Sequence, residues 1–583
     1  MATSAAPAVS GPTSIVLGRA PGRGAWRALL LDADGEVFAT EEIGDDGLVA
    51  WVGAHERRCA PRWVVRSVRD VYPRLLSGGV RLRRAQDLLL CHAILRDTTM
   101  LPRPVAASPA WRRGDPTAPE GRPALFSLGD DGAGAEEEAE SVLAELRRQR
   151  AALGTAPDAR LELLCLAESA GALVAEEMTA AGLPWDEVVH DRILTEALGR
   201  RPPRGSRPER MAVLVREIGQ LLEDPQLNPD SPPRLLRALR RAGVMVDSTS
   251  RWELAEVDHP VIPPLLAYKR MARLFTANGW SWLAEWVHEG RFRPVYITGG
   301  VVTGRWASAG GGALQIPRSL RPAVRADPGW LLVCADVAQL EPRVLAALSR
   351  DRAMADAAQG ADLYAGIVRS GVVATREEAK YAVLGAMYGA TTGDSGRLAP
   401  RLRSVFPRAM ALVDAAAREG EEGGVVSTLL GRGSPRPDAS WSTTQSRASD
   451  PDAGAADERR ARSRARDRGR FTRNFVVQGT AAEWSLLWLA EIRHRLASLP
   501  PGERPAPRSG PVFSRQAHLA FFLHDEVIVH CPEEQAETVA DVVRASADAA
   551  TRRLFPGFPV EIPLDLRVSE DAGKGSAPVS PVD

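Results

Sequence analysis

Lysine is the residue that this sequence most conspicuously lacks. Only Lys269, Lys380 and Lys574 occur among 74 basic residues, so arginine carries almost all of the positive charge. A guanidinium group and a compact ammonium group are not interchangeable in binding or in proton transfer. Each retained lysine therefore indicates a position with a specific requirement.

The sequence also lacks long apolar runs, paired cysteines and a net charge. No apolar stretch is long enough to span a bilayer, and the N-terminus has no signal-peptide pattern. The five cysteines are scattered without paired or metal-binding spacing, which excludes a zinc site and favours a reducing, cytosolic compartment. With 583 residues, 44% of them hydrophobic, the chain is expected to form roughly two to four globular domains.

The zero net charge conceals an uneven distribution. Residues 130–140 are acidic, whereas residues 459–473 (RRARSRARDRGRFTR) are strongly basic. The basic run is either a solvated linker or a surface that contacts nucleic-acid phosphates. Residues 433–468 contain few apolar side chains, which predicts a flexible insertion or a loosely held lid.

Two stretches place acidic residues at the ends of short apolar strands. Residues 519–531 (LAFFLHDEVIVHC) are typical of a hairpin with His524, Asp525 and Glu526 at its tip. Far upstream, an apolar strand runs into Asp336 and is followed by a helical pattern. Either stretch alone is typical of ordinary structure. Two aspartates brought together can hold two divalent cations roughly 4 Å apart, as in phosphoryl transfer.

A third motif carries positive charge on one side of a predicted helix. Arg376, Lys380, Leu384 and Tyr388 recur at every fourth position, so they form a single stripe. Two cations followed by a leucine and a tyrosine suit a triphosphate at one end and a base at the other. Lys380 can also donate a proton to a departing pyrophosphate, which an arginine practically cannot.

These motifs occur in the order found in family-A DNA polymerases of the bacterial DNA polymerase I type, which the chain resembles over roughly residues 161–568. Residues 336–343 resemble motif A, residues 376–389 resemble motif B, and residues 524–526 resemble motif C. A glycine-rich segment before motif A and the string Gln478-Gly-Thr-Ala-Ala before motif C are similar to segments that contact DNA in that family.

The resemblance implies template-directed DNA synthesis, in which a deoxynucleotide is added to a primer 3′-hydroxyl and pyrophosphate is released, in DNA replication or repair. It implies two Mg²⁺ ions, with Mn²⁺ as an alternative, held by Asp336 and Asp525. The implied catalytic residues are Asp336, Asp525, Glu526 and Lys380. The implied nucleotide-binding residues are Gln339, Glu341, Tyr364, Arg376, Lys380, Leu384 and Tyr388. The implied DNA-binding residues are Arg305, Gln315, Arg470, Asn474, Gln478 and His524.

The implied partners are primer–template DNA and dNTPs, bound by a monomer that is cytoplasmic, nucleoid-associated and not attached to a membrane. Several positions depart from the family pattern. Leu384 stands where phenylalanine or tyrosine is usual, Tyr364 where histidine is frequent, and no asparagine follows Gln315. These departures concern nucleotide contacts, sugar discrimination and rate rather than metal ligands. Glu341 is implied to close the space beneath the 2′ carbon of the sugar.

The expected fold class is α/β: a right-hand polymerase with a palm sheet, a helical thumb and helical fingers, preceded by a ribonuclease-H-like, exonuclease-type α/β domain. The expected boundaries are 1–158 for the exonuclease-like domain, 159–295 for the thumb, 296–345 and 513–583 for the palm, and 346–512 for the fingers, including the insertion at 433–468. No 5′-nuclease domain is expected before them.

The exonuclease-like domain is expected to be degenerate and inactive. Asp32, Asp34 and Glu36 lie in a predicted turn, and Asp87 is the remaining acidic candidate. Three alternatives stay open from sequence. A single-subunit RNA polymerase would favour a small residue at Glu341, a non-catalytic DNA-binding relative would have little reason to keep both aspartates and Lys380, and a bifunctional enzyme would retain proofreading.

Overall fold

The computed structural model describes residues 11–21, 24–112, 138–203, 205–309, 311–312, 316–389 and 393–573, with 393–395 described by backbone alone. The chain divides into two compact units. The first comprises Met1–Ala181, Val295–Ala309 and Gly329–Val568, and the second comprises Gly182–Pro294, Gly310–Pro328 and Ser569–Asp583. No helix of the described ranges is both long and apolar enough to cross a membrane.

The first unit begins with a five-stranded mixed sheet. Its strands are β1 (Ser14–Arg19), β2 (Ala25–Leu31), β3 (Val37–Gly44), β4 (Arg62–Val65) and β5 (Arg84–Asp87). Their order is β3-β2-β1-β4-β5, with β2 antiparallel to both neighbours and β4 parallel to β1 and β5. Apolar residues of the first three strands bury a common core.

Five helices accompany this sheet. They are α1 (Leu48–Cys59), α2 (Val68–Ser77), α3 (Leu88–Asp97), α4 (Ala139–Leu153) and α5 (Arg160–Ala181). Helix α5 buries residues on nearly every side and packs against α2 and β5. A helix that is apolar all round belongs inside a core. Helix α5 belongs to the first unit, and the second unit begins at Gly182. The expected start of the thumb at residue 159 stays a prediction.

The second unit is mainly helical. Its helices are α6 (Glu187–Leu198), α7 (Glu209–Leu221), α8 (Pro232–Arg241), α9 (Arg251–Ala255), α10 (Ile262–Asn278) and α11 (Trp280–Trp286). Its short strands are β6 (Leu183–Pro184), β7 (Val287–His288) and β8 (Arg291–Phe292). Trp185, His190, Trp282 and Phe292 form a ring cluster with centroid separations of 5.0–5.8 Å. This cluster packs α6, α11 and β8 of the second unit against one another.

A second sheet organises the remainder of the first unit. After a small hairpin of β9 (Val295–Ile297) and β10 (Ala307–Ala309), its strands are β11 (Trp330–Val337), β12 (His518–Leu523), β13 (Glu526–Pro532) and β14 (Leu564–Ser569). The order is β12-β13-β11-β14, and β13 is antiparallel to both β12 and β11. The predicted motif A strand and motif C hairpin are thus confirmed as secondary structure.

Within the described ranges, ten further helices belong to the first unit. They are α12 (Leu340–Ser349), α13 (Arg352–Ala357), α14 (Leu363–Arg369), α15 (Arg376–Tyr388), α16 (Gly393–Val405), α17 (Pro407–Glu421), α18 (Ala439–Ala448), α19 (Ala455–Leu496), α20 (Gly510–Phe513) and α21 (Ala536–Leu554). Helix α21 packs on β11 and β13, and α5 packs on β12. Trp484 and Trp488 of α19 are fully buried in this core.

Most of residues 433–468, predicted to be a flexible insertion or a loosely held lid, forms α18 and the first part of α19. The Asp438 carboxylate caps α18 by accepting from the Trp441 amide at 2.7 Å. Arg464 of α19 donates to Ser440 and Thr444 of α18 at 3.1 and 3.0 Å. Capping and polar contacts between the two helices stabilise a segment whose composition offers few apolar residues.

Candidate active site

Pairing of β11 with β13 brings the acidic residues of motifs A and C together. Asp336 lies opposite Glu526 in the antiparallel register, and the Val337 amide donates to the Asp525 carbonyl at 2.9 Å. Asp525 occupies the turn between β12 and β13, so its position depends on the hairpin register. Asp336, Asp525 and Glu526 are each half-buried. The sequence prediction that the strand end meets the hairpin tip is confirmed geometrically.

The electrostatics of this pair show that the two carboxylates interact. Burial and the nearby charge of Asp336 raise the pKa of Asp525 to about 6. Arg305 opposes this shift only in part. Among the described residues, no group of three or more histidine, cysteine, aspartate or glutamate side chains is arranged to hold a metal.

The hairpin tip has an unusual backbone. His524 adopts a left-handed conformation with φ of 54°, and its carbonyl accepts from the Ser485 hydroxyl of α19 at 3.1 Å. Partial burial, followed by the charge of Arg305, lowers the pKa of His524. Non-glycine residues in this conformation cost roughly 1–3 kcal/mol and concentrate at functional sites. The bond from α19 helps to hold the turn that presents Asp525.

A second left-handed residue, Gln339, starts α12 just after Asp336, with φ of 50°. Its side-chain oxygen accepts from the Leu363 amide at 3.0 Å, and its nitrogen donates to Asp362 at 3.3 Å. Asp362 also caps α14 by accepting from the Tyr364 amide at 3.0 Å. Gln339 therefore links the motif A turn to the helix that carries Tyr364.

Arg343 also stabilises the motif A turn. Its fully buried guanidinium donates to the carbonyls of Ala338, Glu561 and Gly360 at 2.8, 2.9 and 2.8 Å, and also to that of Ala358. Burial lowers the pKa of Arg343 to about 10. Sequence reasoning did not identify this role, because it depends on carbonyls that are distant in the chain.

Glu341, in the first turn of α12, connects three parts of the site. Its carboxylate forms an ion pair with Arg305 and accepts from the Tyr388 hydroxyl of α15 at 2.7 Å. The side chain of Glu341 is only 14% exposed. Burial lowers the pKa of Arg305, so this pair lies in a poorly hydrated setting. Arg305, predicted to contact DNA, is thus held by Glu341 in this structure.

Helix α15 carries the predicted stripe. A capping box formed by Thr375 and Glu378 fixes its start. Arg376 is ion-paired with Asp362 at 2.6 Å, and its guanidinium lies 5.6 Å from the Tyr364 ring. Lys380 is exposed and has no hydrogen bond or ion pair within the described ranges. Lys380, rather than Arg376, is therefore the cation of the stripe that is free to meet an anion.

These side chains surround an open cavity of ≈ 200 Å³. Its lining includes most of the predicted nucleotide contacts and two predicted DNA contacts: Gln339, Glu341, Tyr364, Leu384, Tyr388, Arg305 and His524, together with Asp525. Ala481, Ala482 and Ser485 of α19 complete one wall. The cavity lies entirely within the first unit.

The remaining predicted DNA contacts lie mainly on α19. Arg470 is exposed and pairs with Asp467, whereas Asn474 and Gln478 are half-buried. The side-chain oxygen of Asn474 is buried and has no hydrogen-bond partner within the described ranges. Gln315 lies outside the described residues.

Fold and site together define a mixed α/β protein in which two aspartates at the antiparallel strands β11–β13 lie beside a cavity and a helix with an exposed lysine. The profile of DNA polymerase family A matches residues 208–574. That match covers more than half of the chain, and the chain belongs to this family.

Individual relatives give the same family. The chain is 25% identical over 400 residues to the thermostable DNA polymerase I of Thermus aquaticus, covering 62% of this chain and 43% of the relative. It is 28% identical over 379 residues to DNA polymerase I of Chloroflexus aurantiacus, covering 60% and 36%. The chain thus spans less than half the length of these relatives.

A solved structure has a similar fold. The POL domain of Pol1 from M. smegmatis, in complex with DNA primer-template and dNTP, superposes with a TM-score of 0.66 at 18% sequence identity. The similarity covers 94% of this chain and 93% of that domain. The right-hand polymerase fold expected from the sequence is thereby confirmed.

Proposed function

We propose that the chain is a DNA-directed DNA polymerase that extends a primer 3′-hydroxyl with deoxynucleotides and releases pyrophosphate. The observation that carries this proposal is the placement of Asp336 and Asp525 at one sheet edge, where the pKa of Asp525 is raised partly by the charge of Asp336. Related proteins named DNA polymerase I support it. The similar Pol1 domain was solved with primer-template and dNTP, which suits the same partners here.

The donor set fits magnesium. Mg²⁺ is usually bound through one or two carboxylates, and its other ligands are substrate phosphates and waters. Asp336 and Asp525 are the residues that would hold it, and Mn²⁺ suits the same oxygen ligands. When bound, the metal lowers the pKa of the attacking hydroxyl and stabilises charge on the transferred phosphate. Burial strengthens this binding, because it reduces competition from bulk water.

The other residues of the site bind the substrates or hold neighbouring parts of the site in position. Lys380 places an unpaired ammonium where a triphosphate lying along α15 would meet it, and it can give a proton to the leaving pyrophosphate. Glu341 lines the cavity and is held by Arg305 and Tyr388. Gln339 and Arg343 hold the motif A turn. In the proposal, a monomer binds primer–template through Arg470, Asn474 and Gln478.

We assign the second unit to the thumb, the sheet of β11–β14 to the palm, and α14–α18 with the first part of α19 to the fingers. The N-terminal sheet is proposed to be an inactive exonuclease-like domain. Asp32 forms its turn by accepting from the Asp34 and Glu36 amides at 3.0 and 2.9 Å. Both oxygens of Asp87 accept from backbone amides, those of Leu90 and Val68. These carboxylates therefore stabilise backbone rather than converge.

Primer extension with a labelled primer, Mg²⁺ and dNTPs tests the proposal. Asp336→Asn and Asp525→Asn should each reduce extension roughly a thousandfold, because a lost metal ligand removes several kcal/mol of transition-state stabilisation. Binding to primer–template should be nearly unchanged. Asp541→Asn is the matched control, since Asp541 is exposed on α21 and should keep full activity. Robust extension by either site variant would reject the assignment.

A further inference from the structure

A cleft opens at the C-terminal end of α12, outside the active-site cavity. Helix α12 ends at Ser349, and Arg350 follows it in a left-handed conformation with φ of 51°. The start of α13, the turn between α16 and α17, and residues 557–559 form the other sides. The cleft has a volume of ≈ 550 Å³, which is in the range of small-molecule sites, and it lies entirely within the first unit. It is called the arginine cleft below.

Three arginines line the arginine cleft, and their charges are not neutralised within it. Arg350, Arg352 and Arg408 are exposed, and none of them forms an ion pair within the described ranges. The Arg408 side chain donates to the Arg350 carbonyl at 3.3 Å. Asp351 is the one acidic residue among the described residues of the lining. The cleft therefore carries an excess of two positive charges in a chain whose net charge is zero.

The Asp351 carboxylate binds backbone amides rather than the arginines. One of its oxygens accepts from the Met354 amide at 3.2 Å, and the other accepts from the Arg408 and Ala409 amides at 3.0 Å each. This buried side chain thereby caps α13 and also lies at the start of α17. A carboxylate in such a position compensates the partial positive charge of helix starts. Its negative charge is balanced there, and the guanidinium groups of the cleft keep theirs.

The walls of the cleft are held in place by contacts within the protein. The Asp351 carboxylate joins the starts of α13 and α17. The Arg350 and Asp351 amides donate to the Ala347 and Ala346 carbonyls at 3.1 and 3.0 Å, which fixes the turn after α12. The guanidinium group of Arg350 lies 5.6 Å from the centroid of the Phe558 ring. Because the backbone that carries the arginines is already ordered, a ligand does not have to order it on binding.

The chemistry of the lining favours a chain of phosphate groups. A guanidinium group binds two oxygens of a phosphate through its planar fork, so three arginines offer places for about six oxygens. A single carboxylate or phosphate ion has too few oxygens to occupy them, whereas an oligophosphate presents many oxygens along a short chain. An acidic peptide is recognised in an extended groove or at a sheet edge, and a concave cleft of ≈ 550 Å³ is neither.

The arginine cleft is separate from the active-site cavity but shares a helix with it. The two have no lining residue in common. Helix α12 carries Glu341 of the cavity in its first turn and ends beside the cleft, about 12 Å further along at 1.5 Å per residue. A bound ligand would join Arg350 and Arg352, which follow α12, to Arg408 of α17, which packs against α12. Binding would therefore stabilise the packing of these two helices.

We propose that the arginine cleft binds an oligophosphate, either inorganic or as the phosphate chain of a nucleotide. The site is additional to the nucleotide site of the active-site cavity, and binding to it does not depend on the proposed polymerase function. Arg352 of α13 and Arg408 of α17 contact the chain from two elements, and Arg350 adds a third contact after α12. The ligand stabilises the folded protein, because the unfolded chain does not bring these arginines together.

Calorimetric titration with inorganic triphosphate, without DNA or divalent metal, tests the proposal. The double variant Arg352→Gln/Arg408→Gln should lose roughly a hundredfold in affinity, because two of the three forks are removed. Triphosphate should raise the unfolding temperature of the wild type but not that of the double variant. The matched control is Arg57→Gln/Arg58→Gln, which removes two exposed arginines from α1 and should bind like the wild type.

Two further titrations identify the site and the source of the phosphate chain. Lys380→Ala removes the cation assigned to the active site and should leave binding in the cleft unchanged. A nucleoside triphosphate is titrated beside the inorganic compound. Tighter binding of the nucleotide assigns the chain to nucleotides, and equal binding shows that the phosphates alone suffice. Either result supports the site if the double variant abolishes it.

Four outcomes would overturn the inference: absent binding by the wild type, full affinity in the double variant, an equal loss in the α1 control, and a loss caused by Lys380→Ala instead. Tighter binding of hexaglutamate than of triphosphate would also reject it, in favour of a protein partner. Circular dichroism checks folding, and the single variants Arg352→Gln and Arg408→Gln, each expected to lose roughly tenfold, serve if the double variant is unfolded. Primer extension by the double variant should match the wild type. Failure of the polymerase proposal is seen separately, as absent extension by the wild type.

Discussion

Replacement of Glu341 by alanine is expected to weaken discrimination against ribonucleotides. Glu341 lies in the first turn of α12, shortly after Asp336 at the end of β11. It lines the cavity and is held between Arg305 and Tyr388. Because two partners fix the carboxylate, it cannot swing aside for an additional hydroxyl on the incoming sugar. Truncation to alanine removes this obstruction from the cavity.

The magnitude follows from two opposing effects. Forcing an extra group into a packed site costs about 1–3 kcal/mol, which corresponds to a discrimination of roughly 5–150-fold. Truncation should remove most of that factor. It also leaves Arg305 without its carboxylate, and losing a hydrogen bond to a charged group costs about 1.5–3 kcal/mol. This second loss affects both nucleotides. We therefore expect kcat/KM for the dNTP to fall at least tenfold, while the ratio of kcat/KM for the dNTP to that for the rNTP decreases.

Single-nucleotide addition with a matched dNTP and rNTP pair measures the ratio of kcat/KM directly. Glu341→Gln is the matched control, since it keeps the shape of the side chain and removes only the charge. It should retain discrimination yet share the loss of activity. An unchanged ratio in Glu341→Ala would refute the steric reasoning, and equal ratios for the two variants would assign the effect to charge.

Three further outcomes are expected. Lys380→Ala should reduce turnover and dNTP affinity more than DNA affinity, and Lys380→Arg should rescue it incompletely because guanidinium is a poor proton donor; full rescue in steady-state kinetics would leave charge as its only role. Burial raises the pKa of Glu177, but Arg493 and Arg81 outweigh burial and lower this pKa from 4.5 to about 2. The carboxylate therefore contributes about 3 kcal/mol to the free energy of unfolding above pH 4.5, and this contribution is lost as the pH falls towards 2. In urea unfolding, the stability gap between wild type and Glu177→Gln should therefore narrow at low pH, and a constant gap would contradict the pairing. The purified protein should not trim a mismatched primer with Mg²⁺ or Mn²⁺, and trimming that Asp87→Ala abolishes would show an active exonuclease.

Local patterns in the sequence predicted much of the site. The apolar runs before Asp336 and around Asp525 define strands, because β-branched and aromatic residues bounded by polar turns favour extended structure. The spacing of Lys380, Leu384 and Tyr388 defines one side of a helix. Both inferences depend only on residues close together in the chain. The order of the motifs along the chain indicated the family.

Other features were decided by tertiary structure alone. Arg343 donates to backbone carbonyls, and Arg376 forms an ion pair with Asp362. Both sets of contacts depend on which carbonyls and carboxylates the fold brings near the two arginines. Residues 439–448 lack an apolar core of their own, yet they form a helix because Asp438 caps it and Arg464 of α19 bonds to it. The sequence by itself determined the strands and helices of the three motifs and the chemical groups that they carry. Tertiary structure determined which charges are paired, because pairing depends on distances in space rather than on separation along the chain.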